Sequence, residues 1–306
     1  MLARRRFRSG FSYELRRRTA VGTAEIQSFS SSIDQIPSNG LKEPRKVLVG
    51  LGNPTEKYVD TRHNIGKRAL THFLKSHVSS SVNRSLQMLH DPSVHGDVIQ
   101  AAIGYTAEDS AGYDLVDFFS ERSRAKTAAT GVPHPTVQLT LLAPTTYMNA
   151  SGKSVRGFLS HHRWRLKRNP LSLNFQDEML VLSDEVSLPF GTIRLKSRGS
   201  SGGQNGVKDV IQCVGTDRFA RLKIGVGASQ WFTNGNTGPP SHFPLDKYVL
   251  SRFNSSEQDR LGDLLKYIQE VLRVYLHRGL QQATTVANGM DLDAYLHKFA
   301  DKKAVV

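Results

Sequence analysis

The stretch VLVGLGNPTEKYVDTRHNIG, residues 47–66, decides the reading of this chain. It opens on a short apolar strand, breaks at Gly52-Asn53-Pro54, and then presents one imidazole, His63, between Arg62 and Asn64. Loops at the carboxyl ends of strands in open α/β sheets are where such folds hold their ligands. A dinucleotide site is the first competing reading, because Gly50-Leu51-Gly52 begins a G-x-G-x-x-G pattern. The third glycine is replaced by Thr55, and Pro54 removes an N–H from the turn. A phosphate cradle needs both that glycine and free N–H groups, so no nucleotide cofactor is expected.

Working outward, apolar runs and helical spacings alternate. DVIQAAI (97–103), VQLTLLAP (137–144), MLVLSDE (179–185) and RLKIGVG (221–227) read as further strands, and GTIRLKSRG (191–199) as an exposed one. Helical spacing runs over 67–78, from Ser151 toward Arg163, over 206–214, and over 256–280 through Leu261, Leu264, Ile268, Leu272 and Leu276. The alternation predicts a single α/β domain over residues 45–300, with a mixed, mostly parallel twisted sheet flanked by helices. Residues 104–136 are polar and rich in Ser, Ala and Gly, and read as a surface insertion. Residues 163–176 read as a basic connector.

Composition sets further bounds. The chain has 306 residues, 38% of them hydrophobic, enough for a sizeable core. No apolar run approaches the ~20 residues of a membrane span, so no membrane insertion is expected. The lone Cys213 cannot form an internal disulfide, and its setting in VKDVIQCVG suits a small packed side chain rather than a nucleophile. Net charge is +14, of which residues 1–22 carry +6 through seven arginines against Glu14. Residues 1–44 are arginine- and serine-rich, poor in acids, and lack the apolar core of a secretory signal. That composition predicts a disordered mitochondrial transit peptide and linker, with a cytoplasmic location as the alternative. The remaining chain keeps +8, which favours a polyanionic partner such as nucleic acid. No exposed sticky element stands out, and a monomer is expected.

Four polar clusters follow strands: residues 53–63, Tyr147-Met148-Asn149, Asp184-Glu185, and 202–206. Histidine is the side chain best suited to accept a proton near neutral pH, and a carboxylate at its second nitrogen would fix its tautomer. Asparagine amides can hold a carbonyl oxygen or a water. No G-x-S-x-G signature supplies a nucleophile, so attack by water activated at His63 is the simplest chemistry. Of the other ten histidines, His161 and His162 fall in a basic helix end. His72, His77, His277 and His297 fall on helices, and His90, His95, His134 and His242 in polar loops. None shows H-E-x-x-H or Cys/His spacing, so no metal site is expected.

Taken together, VGLGNPTEKYVDTRHNIG, LLAPTTYMNASGKSV, SDEVSLPFGTIRLKSRGSSGGQNGVKDVI and RLKIGVG resemble the bacterial-type peptidyl-tRNA hydrolase family. The four blocks occur in order, from about Lys46 to the helix near Leu280. The resemblance implies hydrolysis of the ester joining a peptide to the terminal ribose of tRNA, which recycles tRNA released prematurely from ribosomes. It implies His63 as catalytic base and Asp184 as the group that orients and charge-stabilises it. It implies Asn53 near the scissile ester, with Tyr58, Tyr147, Asn149 and Asn205 lining the groove. Lys153, Arg156, Arg194, Lys196, Arg198 and Lys208 surround these blocks in sequence and would hold the acceptor stem through its phosphates. The segment 238–253 would act as a mobile lid. The family commonly carries histidine where this chain has Gln204. The alternative function is a non-catalytic RNA-binding or intron-splicing factor on the same fold.

Overall fold

The computed structural model describes residues 44–78, 86–103, 137–162 and 174–303. The expected presequence before Pro44, the insertion at 104–136 and most of the basic connector lie outside the described residues. Seven strands form one sheet: β1 Arg45–Gly50, β2 Leu89–Asp91, β3 Gly96–Ile103, β4 Val137–Pro144, β5 Met179–Pro189, β6 Ile193–Lys196 and β7 Ala220–Gly227. Their spatial order is β2-β3-β4-β1-β5-β7-β6. The four central strands are parallel, while β2–β3, β3–β4 and β6–β7 pair antiparallel at the two sides.

The helices are α1 Ile65–Phe73, α2 Ser151–His161, α3 Asn174–Glu178, α4 Asn205–Val214, α5 Leu245–Val249, α6 Ser255–Gly289 and α7 Leu292–Lys303. The helices α1, α6 and α7 cover one face of the sheet, packing Leu70, Phe73, Leu264, Ile268 and Tyr275 on Leu48, Leu182 and Ile224. The other face carries α2 and α4, whose Val155, Phe158, Val207 and Val210 meet Val47, Val49 and Val181. Cover on both faces explains why β1 and β5 read as unbroken apolar runs rather than alternating ones. The chain leaves β1 toward the α1 face and leaves β4, its neighbour, toward the α2 face. That reversal opens a crevice at the carboxyl ends of β1, β4 and β5, the usual ligand position in open α/β sheets.

Three details differ from the sequence expectation. The short strand β2 contains His90, which the sequence placed in a loop; three residues, Leu89-His90-Asp91, are too few to show the alternation that betrays pairing. The GTIRLKSRG strand is an edge strand but not an exposed one, since Ile193 and Leu195 are buried. Its outer edge is covered by Asn288, which accepts from Leu195 N at 2.8 Å and donates to Leu195 O at 3.0 Å. The long helix α6 continues past Leu280 to Gly289 but breaks at Gly279, where φ is 83° and helical hydrogen bonding is interrupted.

The first residue pair of α1 is seated against the sheet without a spacer. A Cβ on Gly66 would fall inside the carbonyl of Leu182, a backbone atom that cannot move aside. Gly66→Ala is therefore expected to destabilise the fold by about 1–3 kcal/mol, the usual effect of overpacking. Urea unfolding monitored by tryptophan fluorescence checks this, and an unchanged midpoint would contradict the close approach.

Candidate active site

Beyond the end of β1, the chain is held by its own asparagines. Asn64 Oδ1 accepts from Asn53 N at 2.8 Å and Asn64 Nδ2 donates to Asn53 O at 3.0 Å. Asn53 Oδ1 in turn accepts from Met148 N at 2.8 Å, just after β4. A backbone N–H can only donate, so this contact fixes which end of the Asn53 amide is which. Its NH2 is left as the free end, with no hydrogen-bond partner among the described residues. Asn53 is buried, so a donor in that position meets little competing water.

His63 lies in a 3-10 turn, Arg62–Asn64, that leads into α1. Its Nδ1 is 2.8 Å from Asp184 Oδ2, near the end of the buried part of β5. A carboxylate only accepts, so Nδ1 carries the proton and Nε2 carries the lone pair. The His63 side chain is 12% exposed and that of Asp184 3%, so the imidazole can still be reached while its carboxylate is sealed behind it. Burial disfavours the imidazolium, but the charge of Asp184 and its hydrogen bond outweigh burial and raise the His63 pKa above its ordinary value.

Gln204 completes the enclosure. Its Nε2 donates to Asp184 Oδ1 at 3.0 Å and lies 3.2 Å from Met148 Sδ. Its Oε1 accepts from Val207 N at 2.7 Å, capping α4. The contacts run in series from His63 through Asp184, Gln204, Met148 and Asn53 to Asn64, the residue that follows His63 in the chain. Sequence reasoning assigned no role to Gln204, Asn64 or the Met148 backbone. The available signal for Gln204 was its place immediately before a helix, where a side-chain acceptor is needed.

The remaining sequence-nominated residues do not touch His63 or Asp184. Tyr147 is exposed, and its ring meets that of Tyr58 edge-on at 6.5 Å. Asn149 and Asn205 are exposed at the starts of α2 and α4. The basic residues divide into two groups. Lys153 and Arg156 on α2 and Lys208 on α4 are exposed on one helical layer. Arg194 and Lys196 lie on the edge strand β6, with Arg198 just after it. Arg194 is partly buried and donates to the carbonyl of its neighbour Ile193. A groove of about 370 Å³ adjoins Asn53 and Asn64 and runs along α1 past Lys67, Thr71 and Lys75 to Leu265. Thr55 lines it with φ at 73°, a left-handed conformation that costs a β-branched residue roughly 1–3 kcal/mol.

The segment expected as a lid is anchored at its carboxyl end. Arg62, next to His63, donates to Ser251 Oγ at 2.8 Å and to the carbonyl of Arg252. Its other nitrogen meets Glu257 Oε2 at 2.5 Å, and its guanidinium lies 4.4 Å from the centre of the Tyr248 ring. Glu257 also accepts from Asn254 N at 2.9 Å, while Asn254 Oδ1 accepts from Glu257 N at 2.9 Å. That is a capping box opening α6, and the N-x-x-E spacing before an apolar run is its sequence signature. The Arg62 and Glu257 side chains are 5% and 9% exposed, so Arg62→Met would strand a buried carboxylate. The expected loss is about 3–5 kcal/mol of stability, measured by urea unfolding. A loss under about 1 kcal/mol would mean that the pair is solvated.

Among the described residues no group of three or more His, Cys, Asp or Glu side chains is placed to hold a metal ion. No helix among them is long and apolar enough to cross a membrane.

A family model described as peptidyl-tRNA hydrolase matches residues 47–294. A peptidyl-tRNA hydrolase of Herpetosiphon aurantiacus is 32% identical over 244 residues, 79% of this chain and 90% of that protein. One of Gloeobacter violaceus is 33% identical over 243 residues, 79% of this chain and 93% of that protein. Among solved structures, the peptidyl-tRNA hydrolase of Acinetobacter baumannii shares the fold with a TM-score of 0.56, at 24% identity over 82% of this chain and 97% of that one.

Proposed function

Because the chain belongs to the peptidyl-tRNA hydrolase family and hydrolyses peptidyl-tRNA, we propose that His63 is the general base of that reaction. The observation that carries this reading is the 2.8 Å contact from Nδ1 to Asp184, which leaves the Nε2 lone pair facing away from the carboxylate. Water at Nε2 gives up a proton as its oxygen attacks the acyl carbon of the ester. The imidazolium, stabilised by Asp184, returns that proton to the ribose oxygen as the acyl C–O bond breaks. The products are a peptide acid and tRNA, and no covalent enzyme intermediate forms. General-base assistance is worth roughly 10²–10⁴-fold, and an amide donor at the developing oxyanion about 10²–10³-fold. Asn53 supplies that donor through its free NH2. Tyr58, Tyr147, Asn149 and Asn205 hold the peptide and the tRNA end at the rim.

Lys153, Arg156 and Lys208 bind the RNA backbone, with Arg194, Lys196 and Arg198 as a second, edge-strand group. The activity recycles tRNA released prematurely from ribosomes, and the protein acts as a monomer. The composition of residues 1–44 supports import into mitochondria, with a cytoplasmic location as the alternative. The splicing-factor reading gains no support, because an RNA-binding module has no use for an assembled imidazole–carboxylate pair.

His63→Ala is expected to abolish release of tRNA from an N-blocked aminoacyl-tRNA while the fold and tRNA binding persist. Substantial residual hydrolysis would remove His63 from the mechanism. An imidazolium cannot accept a proton, so activity rises with pH, with a half-maximal point above 6.5, the ordinary imidazole value. Asp184→Asn removes the raising charge and leaves the lowering effect of burial. Its plateau should therefore fall, by less than that of His63→Ala, and its acid limb should move to lower pH. A wild-type profile in that variant would separate the two residues. Replacing Lys153, Arg156 and Lys208 with Gln should weaken tRNA binding regardless of sequence. It should also flatten the slope of log affinity against log salt by about one for each phosphate no longer neutralised.

A further inference from the structure

Asp184 is gripped from both layers of the fold. His63 reaches Oδ2 from the α1 face, and Gln204 reaches Oδ1 from the amino end of α4 on the opposite face. The orientation of the Gln204 amide is fixed by its second contact. Val207 N–H can only donate, so the atom facing it is Oε1, and the atom facing Asp184 is the NH2. A carboxylate held at one oxygen only could rotate about its terminal bond and carry His63 with it. Held at both, it has one orientation. Met148 Sδ, 3.2 Å from the same NH2, closes the amide in from a third side.

We infer that Gln204 is a positioning residue for the hydrolysis: it locks Asp184, and through it His63, and does so with a group that carries no charge. The inference rests on the reading of His63 as the base. Charges near the cluster are committed elsewhere. Arg62 on His63's own turn is paired with Glu257 at 2.5 Å, and Glu185 on β5 with Lys223 of β7 at 2.5 Å. On α4, Asp209 accepts from Gly152 N at 2.6 Å, and Lys208 is exposed. Among these groups, Asp184 is the one whose charge acts on the His63 ring. An uncharged amide at position 204 therefore adds no ionisation of its own beside the His63 ring. A titratable side chain in the same place would couple to that ring.

Two variants test this. Gln204→Glu keeps an acceptor for Val207 N–H, so α4 stays capped, but sets a second carboxyl against Asp184 Oδ1. Two carboxyls at that separation cannot both ionise freely, and the added negative charge raises the imidazole pKa. The His63 Cε1–H resonance, assigned by its absence in His63→Ala, is followed by NMR against pH in the free enzyme. The expected result is a titration that becomes biphasic or moves upward by about one unit or more. A curve matching wild type would overturn the inference, because it would mean that residue 204 does not touch Asp184. Gln204→Met removes the donor, together with the acceptor that caps α4, at similar volume. The expected result is a fall in kcat of roughly 10- to 100-fold with KM within about twofold, the scale of losing one hydrogen bond to a charged group. An unchanged kcat, or a rise in KM with kcat intact, would overturn it, the latter by making Gln204 a substrate contact. The NMR arm needs no turnover. A shifted His63 titration alongside an active His63→Ala would sink the base assignment while leaving the Gln204–Asp184 coupling standing.

Discussion

The hydrogen bond between His63 Nδ1 and Asp184 Oδ2 joins residues 121 positions apart. It forms because β1 and β5 are parallel neighbours whose carboxyl ends finish side by side. The apolar runs that drive both strands into the centre of the sheet are thus what brings a base and its carboxylate together. The same burial works against the imidazolium, and only the closeness of Asp184 reverses the balance. Any change that tilts β1 against β5 would act on the chemistry through this one contact. That explains why α1 is seated on the sheet through Gly66, with no side chain between its backbone and Leu182.

Around that contact the protein uses carboxamides as rigid parts. Asn64 clamps the backbone of Asn53, Asn53 is oriented by Met148 N, and Gln204 is oriented by Val207 N. In each case an obligate backbone donor fixes the amide, so the opposite end points with no choice of flip. A donor set in advance needs no reorganisation as charge develops on a substrate oxygen. These amides are uncharged, so they add no ionisation to the site.

A second layer of restraint surrounds the loops. Arg62 ties the turn bearing His63 to the Tyr248–Phe253 segment and to the first turn of α6. Arg221, fully buried on β7, donates to the carbonyls of Gly199, Ser200 and Asp217 and so holds the glycine-rich loop that ends at Gln204. Lys223, two residues on, is spent on Glu185, beside Asp184. Loops at the top of a sheet are ordinarily its mobile part. Here the His63 turn is fastened by Arg62 and the loop leading to Gln204 by Arg221, both buried cations.

The α/β alternation, the buried parallel centre, the turn positions of Asn53 and His63 and the strand carrying Asp184 could all be read from the chain. Hydrophobic periodicity and turn residues are local properties, and the four ordered blocks are strings of neighbours. Partnership was not local. Nothing in SDE says that the first acid faces His63 and the second Lys223; strand alternation and the neighbouring strand decide it. Nothing in GGQNG says that one amide caps a helix and grips a carboxylate from the far layer. The edge position of GTIRLKSRG, and with it the separation of Arg194 and Lys196 from Lys153, Arg156 and Lys208, followed from strand order. Strand order is set by how helices cross the two faces. The sequence determined which groups lie on which turns, because the backbone reads its neighbours. The tertiary structure decided which groups touch, because a hydrogen bond acts over about 3 Å of space and takes no account of distance along the chain.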